Sequence, residues 1–69
     1  MTPEQIKKNF GERVRNIRLE KKISQEELAL TANLDRTYIS GVERGKRNLS
    51  VVNIYKIAYA LGIETKELF

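Results

Sequence analysis

Basic side chains carry most of the chemistry this sequence has to offer. Lys7, Lys8, Arg13, Arg15, Arg18, Lys21 and Lys22 crowd the first third, and Arg44, Lys46 and Arg47 form a second cluster. With thirteen Lys and Arg against nine Asp and Glu, the formal net charge is +4, so a polyanion is the natural partner wherever the clusters meet in space. Catalysis lacks its usual groups. The chain has no His, no Cys and no Gly-rich phosphate loop. Its acids are placed as helix caps and surface charges, and the adjacent Glu26 and Glu27 would point about 100° apart on a helix. An enzyme is therefore not expected, nor is a metal, a cofactor or a small-molecule ligand.

These side chains must be positioned by a very small fold. A chain of 69 residues supports one domain, since it buries only about 60% of its unfolded surface. Disulfides and structural metal sites are closed to it, which leaves self-association as the aid to stability. The longest apolar run, Ile57-Ala58-Tyr59-Ala60-Leu61, is far short of the roughly 20 residues that span a bilayer, so no membrane partner is expected. Met1 is followed by polar Thr2-Pro3-Glu4-Gln5, which is not a signal peptide. The expected location is cytoplasmic.

No segment alternates long enough for a strand, whereas helix caps recur along the chain. A first helix starts with Thr2 as N-cap, Pro3 at the first helical position and Gln5 closing a capping box. It runs to about Lys21, with Ile6, Phe10, Val14 and Ile17 as its apolar stripe. Ser24 and Glu27 form a second capping box for a short helix that Asn33 stops in a left-handed conformation. Asp35 caps a third helix, which carries Ile39 and Val42 inward and ends at Gly45. Ser50 caps a fourth that ends at Gly62, and Thr65 caps a last short turn through Leu68 and Phe69.

Two short capped helices, 25–31 and 36–44, joined by a tight turn at Ala32-Asn33-Leu34, make a helix-turn-helix. Leu28, Ala29, Leu34, Ile39 and Val42 set their crossing, with Ala29 small enough for close approach. The string Ile23-Ser24-Gln25-Glu26-Glu27-Leu28-Ala29, followed by Leu34-Asp35-Arg36-Thr37-Tyr38-Ile39-Ser40-Gly41-Val42-Glu43-Arg44-Gly45, resembles the lambda Cro and repressor-type helix-turn-helix family. Residues 34–41 together with Arg47-Asn48-Leu49 resemble, more narrowly, the controller proteins of restriction-modification systems.

The resemblance implies an all-α, five-helix, lambda repressor-like domain over residues 1–69, with the helix-turn-helix at about 24–45. It implies that the 36–44 helix enters the major groove of double-stranded DNA. Arg36, Thr37 and Ser40 then match base-reading positions, and the planar fork of Arg36 suits guanine O6 and N7. Gln25 matches a residue that grips a phosphate and braces the recognition helix, and Tyr38, Arg44, Lys46, Arg47 and Asn48 are backbone-contact candidates. Many members of the family carry Gln where this chain has Arg36, so the resemblance carries over no target sequence. Arg18 and Glu43 match a buried, bidentate ion pair of the family, a structural rather than a functional assignment.

In the fourth helix Val51, Ile54, Ile57, Ala58 and Leu61 share the core arc, while Val52, Tyr55 and Tyr59 form a second apolar stripe roughly 130° away. A helix apolar on two faces implies two burials. The second stripe, with Ile63, Leu68 and Phe69 beside it, is assigned to a homodimer interface over about 52–69. A two-fold axis there sets two recognition helices on one face of the DNA, about 34 Å apart, and calls for an inverted-repeat operator. The sequence thus points to a transcription regulator of the restriction-modification controller kind, with RNA polymerase as a further partner that the resemblance brings in. The alternative is an antitoxin or adaptor that uses the same fold to hold a protein. It would show an acidic or apolar recognition surface, whereas Arg36, Thr37, Tyr38 and Ser40 suit DNA.

Overall fold

The computed structural model describes residues 1–69, and all of its regular structure is helical. Four α-helices follow one another, α1 (Pro3–Glu20), α2 (Gln25–Ala32), α3 (Arg36–Glu43) and α4 (Val51–Leu61), and a single 3₁₀ turn spans Thr65–Leu68. The expected fifth helix is that turn. Four residues complete little more than one turn, so no α-helical hydrogen-bond ladder develops there. Its N-cap is Glu64, one residue earlier than expected, and the Glu64 N–H donates to Glu67 Oε2 at 2.9 Å.

The caps account for most of the boundaries. Thr2 Oγ1 accepts from the Gln5 N–H at 3.1 Å while Gln5 Oε1 accepts from the Thr2 N–H at 2.9 Å. Ser24 and Glu27 repeat that exchange at 3.0 and 2.8 Å, and Ser50 Oγ accepts from the Asn53 N–H at 3.0 Å. Each such pair satisfies donors that the first turn of a helix leaves unbonded. Asn33 takes the left-handed conformation at the end of α2, as Gly62 does after α4. Asp35 sits at the N-cap of α3 but makes no side-chain cap bond, and α3 closes at Arg44, one residue before Gly45. Lys22, with φ 58°, turns the chain out of α1 in a conformation that the sequence does not advertise with a glycine.

One apolar cluster holds the helices together: Phe10, Val14 and Ile17 from α1, Leu28 and Ala29 from α2, Ile39 and Val42 from α3, Ile57, Ala58 and Leu61 from α4, and Leu68. Ile6 lies on the expected α1 stripe but near the end of the helix, past the reach of the core, and is 45% exposed. Val51, expected inside, is 71% exposed. At about 100° per residue it falls within the same arc as Val52, Tyr55 and Tyr59, and in the first turn of α4 nothing overlies it.

Close approach of α1 to α3 rests on Gly11. A side chain there would place its Cβ 2.9 Å from the Glu43 carbonyl oxygen and nearer still to that of Val42. Backbone atoms cannot yield as a side chain would, so this crossing requires glycine. Sequence pattern assigns the need for a small residue to Ala29 and gives no sign of this one. No helix is long and apolar enough to cross a membrane.

Candidate nucleic-acid interface

α3 is short and two-sided. Ile39, Gly41, Val42 and Glu43 are buried, while Arg36, Thr37 and Arg44 are exposed and Ser40 is half-buried. By helical phase the four outward residues fall within an arc of about 100°. They project together from the side away from the core. The structure therefore brings Arg36, Thr37 and Ser40 onto one open face, with Arg44 continuing it a turn later; the Arg44 Nε–H donates to the Ser40 carbonyl at 3.3 Å.

The rod is fixed to the scaffold at its far end. Arg18 Nε–H donates to Glu43 Oε2 at 2.7 Å and Arg18 Nη2–H donates to Glu43 Oε1 at 2.9 Å, while Nη1–H reaches the Ile23 carbonyl at 3.0 Å. The fork is thus bidentate on one helix and tied to the turn between two others. Hydrogen bonding to Glu43 raises the Arg18 pKa further above its ordinary value; burial opposes this and the charge of Glu43 assists. Gln25 joins the same group, its Nε2–H donating to Glu43 Oε1 at 3.1 Å. The bracing part of the role implied for Gln25 is present in the structure, and one of its two amide hydrogens is committed to it.

Tyr38 is half-buried against the edge of the core. Its hydroxyl donates to the Asn48 carbonyl at 3.0 Å, and the Arg47 guanidinium carbon stands 4.8 Å from the centre of its ring. Residues 46–48 are exposed and are held beside α3 through this tyrosine. Of the first basic cluster, Lys7 and Lys8 approach the second. The backbone of Lys7 and Lys8 lies against Gly45, where an added Cβ would be 2.9 Å from Lys8 Cα. The N-terminal lysines therefore border Arg44, Lys46 and Arg47, a neighbourhood for which their position in the sequence offers no signal. The chain's two salt bridges are Arg18–Glu43 and Lys66–Glu64. Arg36, Arg44, Lys46 and Arg47 have no acidic partner, so their charge is uncompensated by the protein and available to an anion.

A helix-turn-helix family profile matches residues 14–68. Among curated proteins, Control protein C.BamHI of Bacillus amyloliquefaciens is 57% identical over 60 residues, covering 86% of this chain and 74% of the relative. The chain belongs to the helix-turn-helix family of restriction-modification controller proteins. Its function class is DNA-binding transcription regulation. The fold agrees with that membership: the crystal structure of the controller protein C.AhdI from Aeromonas hydrophila superposes with a TM-score of 0.90 at 56% identity, covering 91% of this chain and 96% of that one. A structure of the controller C.Esp1396I bound to a 25 base pair operator site superposes with a TM-score of 0.81 at 42% identity, covering 86% and 78% of the two chains.

α4 also leaves an apolar face open. Val52 and Tyr55 are each 62% exposed and Tyr59 is 79% exposed. Tyr55 and Tyr59 line a shallow groove with Ala58, Ile63 and residues 64–66, and Ile63 is half-buried there. Two expected neighbours of this face lie elsewhere. Leu68 is 1% exposed and belongs to the core, because the 3₁₀ turn folds it inward. Phe69 leans on Phe10 at a ring separation of 5.4 Å, in a second groove formed with Met1, Ile6 and Arg13.

Proposed function

We propose that this chain binds a two-fold symmetric DNA operator as a homodimer and so regulates the genes of a restriction-modification system, acting in the cytoplasm where that DNA lies. The observation that carries the reading is the open face of α3, where Arg36, Thr37 and Ser40 stand together beside basic groups that have no acidic partner. In this reading Arg36, Thr37 and Ser40 read base edges, and Gln25, Tyr38, Arg44, Lys46, Arg47 and Asn48 set the register on the phosphate backbone. The helix-turn-helix and the α4 face then serve as the two parts of one domain.

The dimer follows from the apolar stripe. Val52, Tyr55 and Tyr59, extended by Val51, are costly to leave in water, and a second copy of the same face covers them with an isologous contact. Operator occupancy then depends on protein concentration through dimerisation. Whether a bound dimer aids or blocks RNA polymerase follows from its distance to the polymerase site, which the operator's position determines.

Selection of bound fragments from random DNA tests the reading. An enriched inverted repeat with half-sites about one helical turn, or 34 Å, apart supports it. Enrichment of an unpaired half-site, or no enrichment at all, overturns it.

A further inference from the structure

Gly41 is the buried residue on the flank of the α3 face, and what buries it is a side chain from outside the helix. A Cβ built on Gly41 would stand 3.0 Å from Arg47 Cδ and nearer still to Arg47 Cγ, and its three nearest atoms all belong to Arg47. The methylenes of Arg47 therefore lie directly across the bare backbone of α3. Their far end places the guanidinium 4.8 Å from the centre of the Tyr38 ring. Tyr38 in turn donates its hydroxyl to the Asn48 carbonyl at 3.0 Å, next to Arg47 in sequence. Two contacts thus converge on one exposed arginine, and the third fixes the residue that follows it. A side chain of this kind carries large rotamer freedom, and holding it in advance removes an ordering cost from any binding event that uses it.

We propose that Gly41 is a positioning residue: it forms a side-chain-free seat in which Arg47 is held against Tyr38, so that its charge is presented at the flank of the open α3 face as a fixed part of the DNA-binding surface. Gly41 is also mid-helix, where glycine is otherwise unfavourable relative to alanine. The seat gives a physical reason for keeping it. This inference rests on the DNA-binding reading for its consequence, but the seat itself can be tested without DNA.

The experiment is a double-mutant cycle of Gly41→Ala and Arg47→Ala. In the Arg47→Ala background the helix-favouring alanine has room, since Arg47 Cβ is 3.8 Å from where the new methyl would sit, and the melting temperature rises. In the background that keeps Arg47 the same change expels its side chain, and the rise is smaller or reversed. In DNA titrations over a salt series, Gly41→Ala and Arg47→Ala each lower the slope of log K against log salt by about one per subunit, and the double variant lowers it no further than either alone. Equal thermal effects of Gly41→Ala in both backgrounds would overturn the seat. A coupled thermal cycle with no change in DNA binding for either variant would show Arg47 docked but idle, which overturns its positioning for DNA. In that outcome Arg36→Ala, at a site the seat does not touch, reports separately on whether α3 reads DNA at all.

Discussion

Arg18 and Arg36 carry the same guanidinium, and the fold treats them in opposite ways. Arg18 is buried and spends its donors on Glu43 and the Ile23 carbonyl. Arg36 stands in solvent at the start of α3 with no ion pair. Both belong to a basic chain, so net charge does not distinguish them. What separates them is who supplies the counter-charge. Where the protein supplies it, the arginine sets the position of α3; where it does not, the arginine is left for an outside anion. One end of α3 is thus held by the protein and the other is left open to solvent.

The sharpest way to break this contrast is Arg18→Ala. It leaves the Glu43 carboxylate buried without its fork, and stability should fall by about 3–5 kcal/mol. Urea unfolding followed by circular dichroism reads the loss, and an unchanged midpoint would show that Arg18 is as dispensable to the fold as Arg36. A second effect extends the contrast to α4, whose open face is apolar where that of α3 is charged. Tyr59→Glu should cost the dimer about 2–4 kcal/mol, seen as a shift toward monomer in equilibrium sedimentation with helical content retained. A wild-type chain that is already monomeric at micromolar concentration would remove the reason for the stripe.

Arg36→Ala sharpens the contrast from the other side. It should leave the melting temperature unmoved and lower discrimination at one base pair of the half-site by about 1–3 kcal/mol, measured by competition between operator variants. The smallest effect concerns pH. The Ser24 backbone N–H holds the Glu27 carboxyl below its ordinary value, with help from the Ser24 side chain. A lowered folded value means that this stabilisation is complete above the unfolded pKa of about 4.3 and is lost as pH falls through the folded value. Urea midpoints taken downward from pH 5 should therefore fall less steeply in Glu27→Gln than in the wild type. Arg18 stays charged across that window and contributes no slope.

How much of this is legible in the sequence depends on the reach of each interaction. The capping boxes Thr2/Gln5 and Ser24/Glu27, the left-handed Asn33 and the Gly62 stop are all read correctly, because each involves residues no more than a few positions apart. The outward grouping of Arg36, Thr37 and Ser40 is legible for the same reason, being a consequence of helical phase. Arg18 and Glu43 lie 25 residues apart, and it is the family resemblance rather than spacing that brings them together. Val51 and Leu68 are assigned to the wrong environments because phase says which way a residue points and not whether anything stands opposite it. The seat at Gly41, the Gly11 crossing and the bond from Arg13 Nε–H to the Glu67 carbonyl at 2.8 Å leave no mark on local pattern at all.

Residue order alone is enough to dictate where most of the helices begin and end, that α3 and α4 each keep a second face, and that the chain carries more positive charge than it can neutralise. Those are properties of backbone hydrogen bonding, periodicity and composition, and they need no knowledge of the chain's path. It takes the folded chain to settle which arginine is buried and which is free, which glycine admits a neighbour's backbone and which admits a side chain, and that Lys7 and Lys8 come to rest beside the Arg44–Arg47 cluster. Those outcomes depend on surfaces brought together from distant parts of the chain, and close packing, being short-ranged in space, is blind to separation along the sequence.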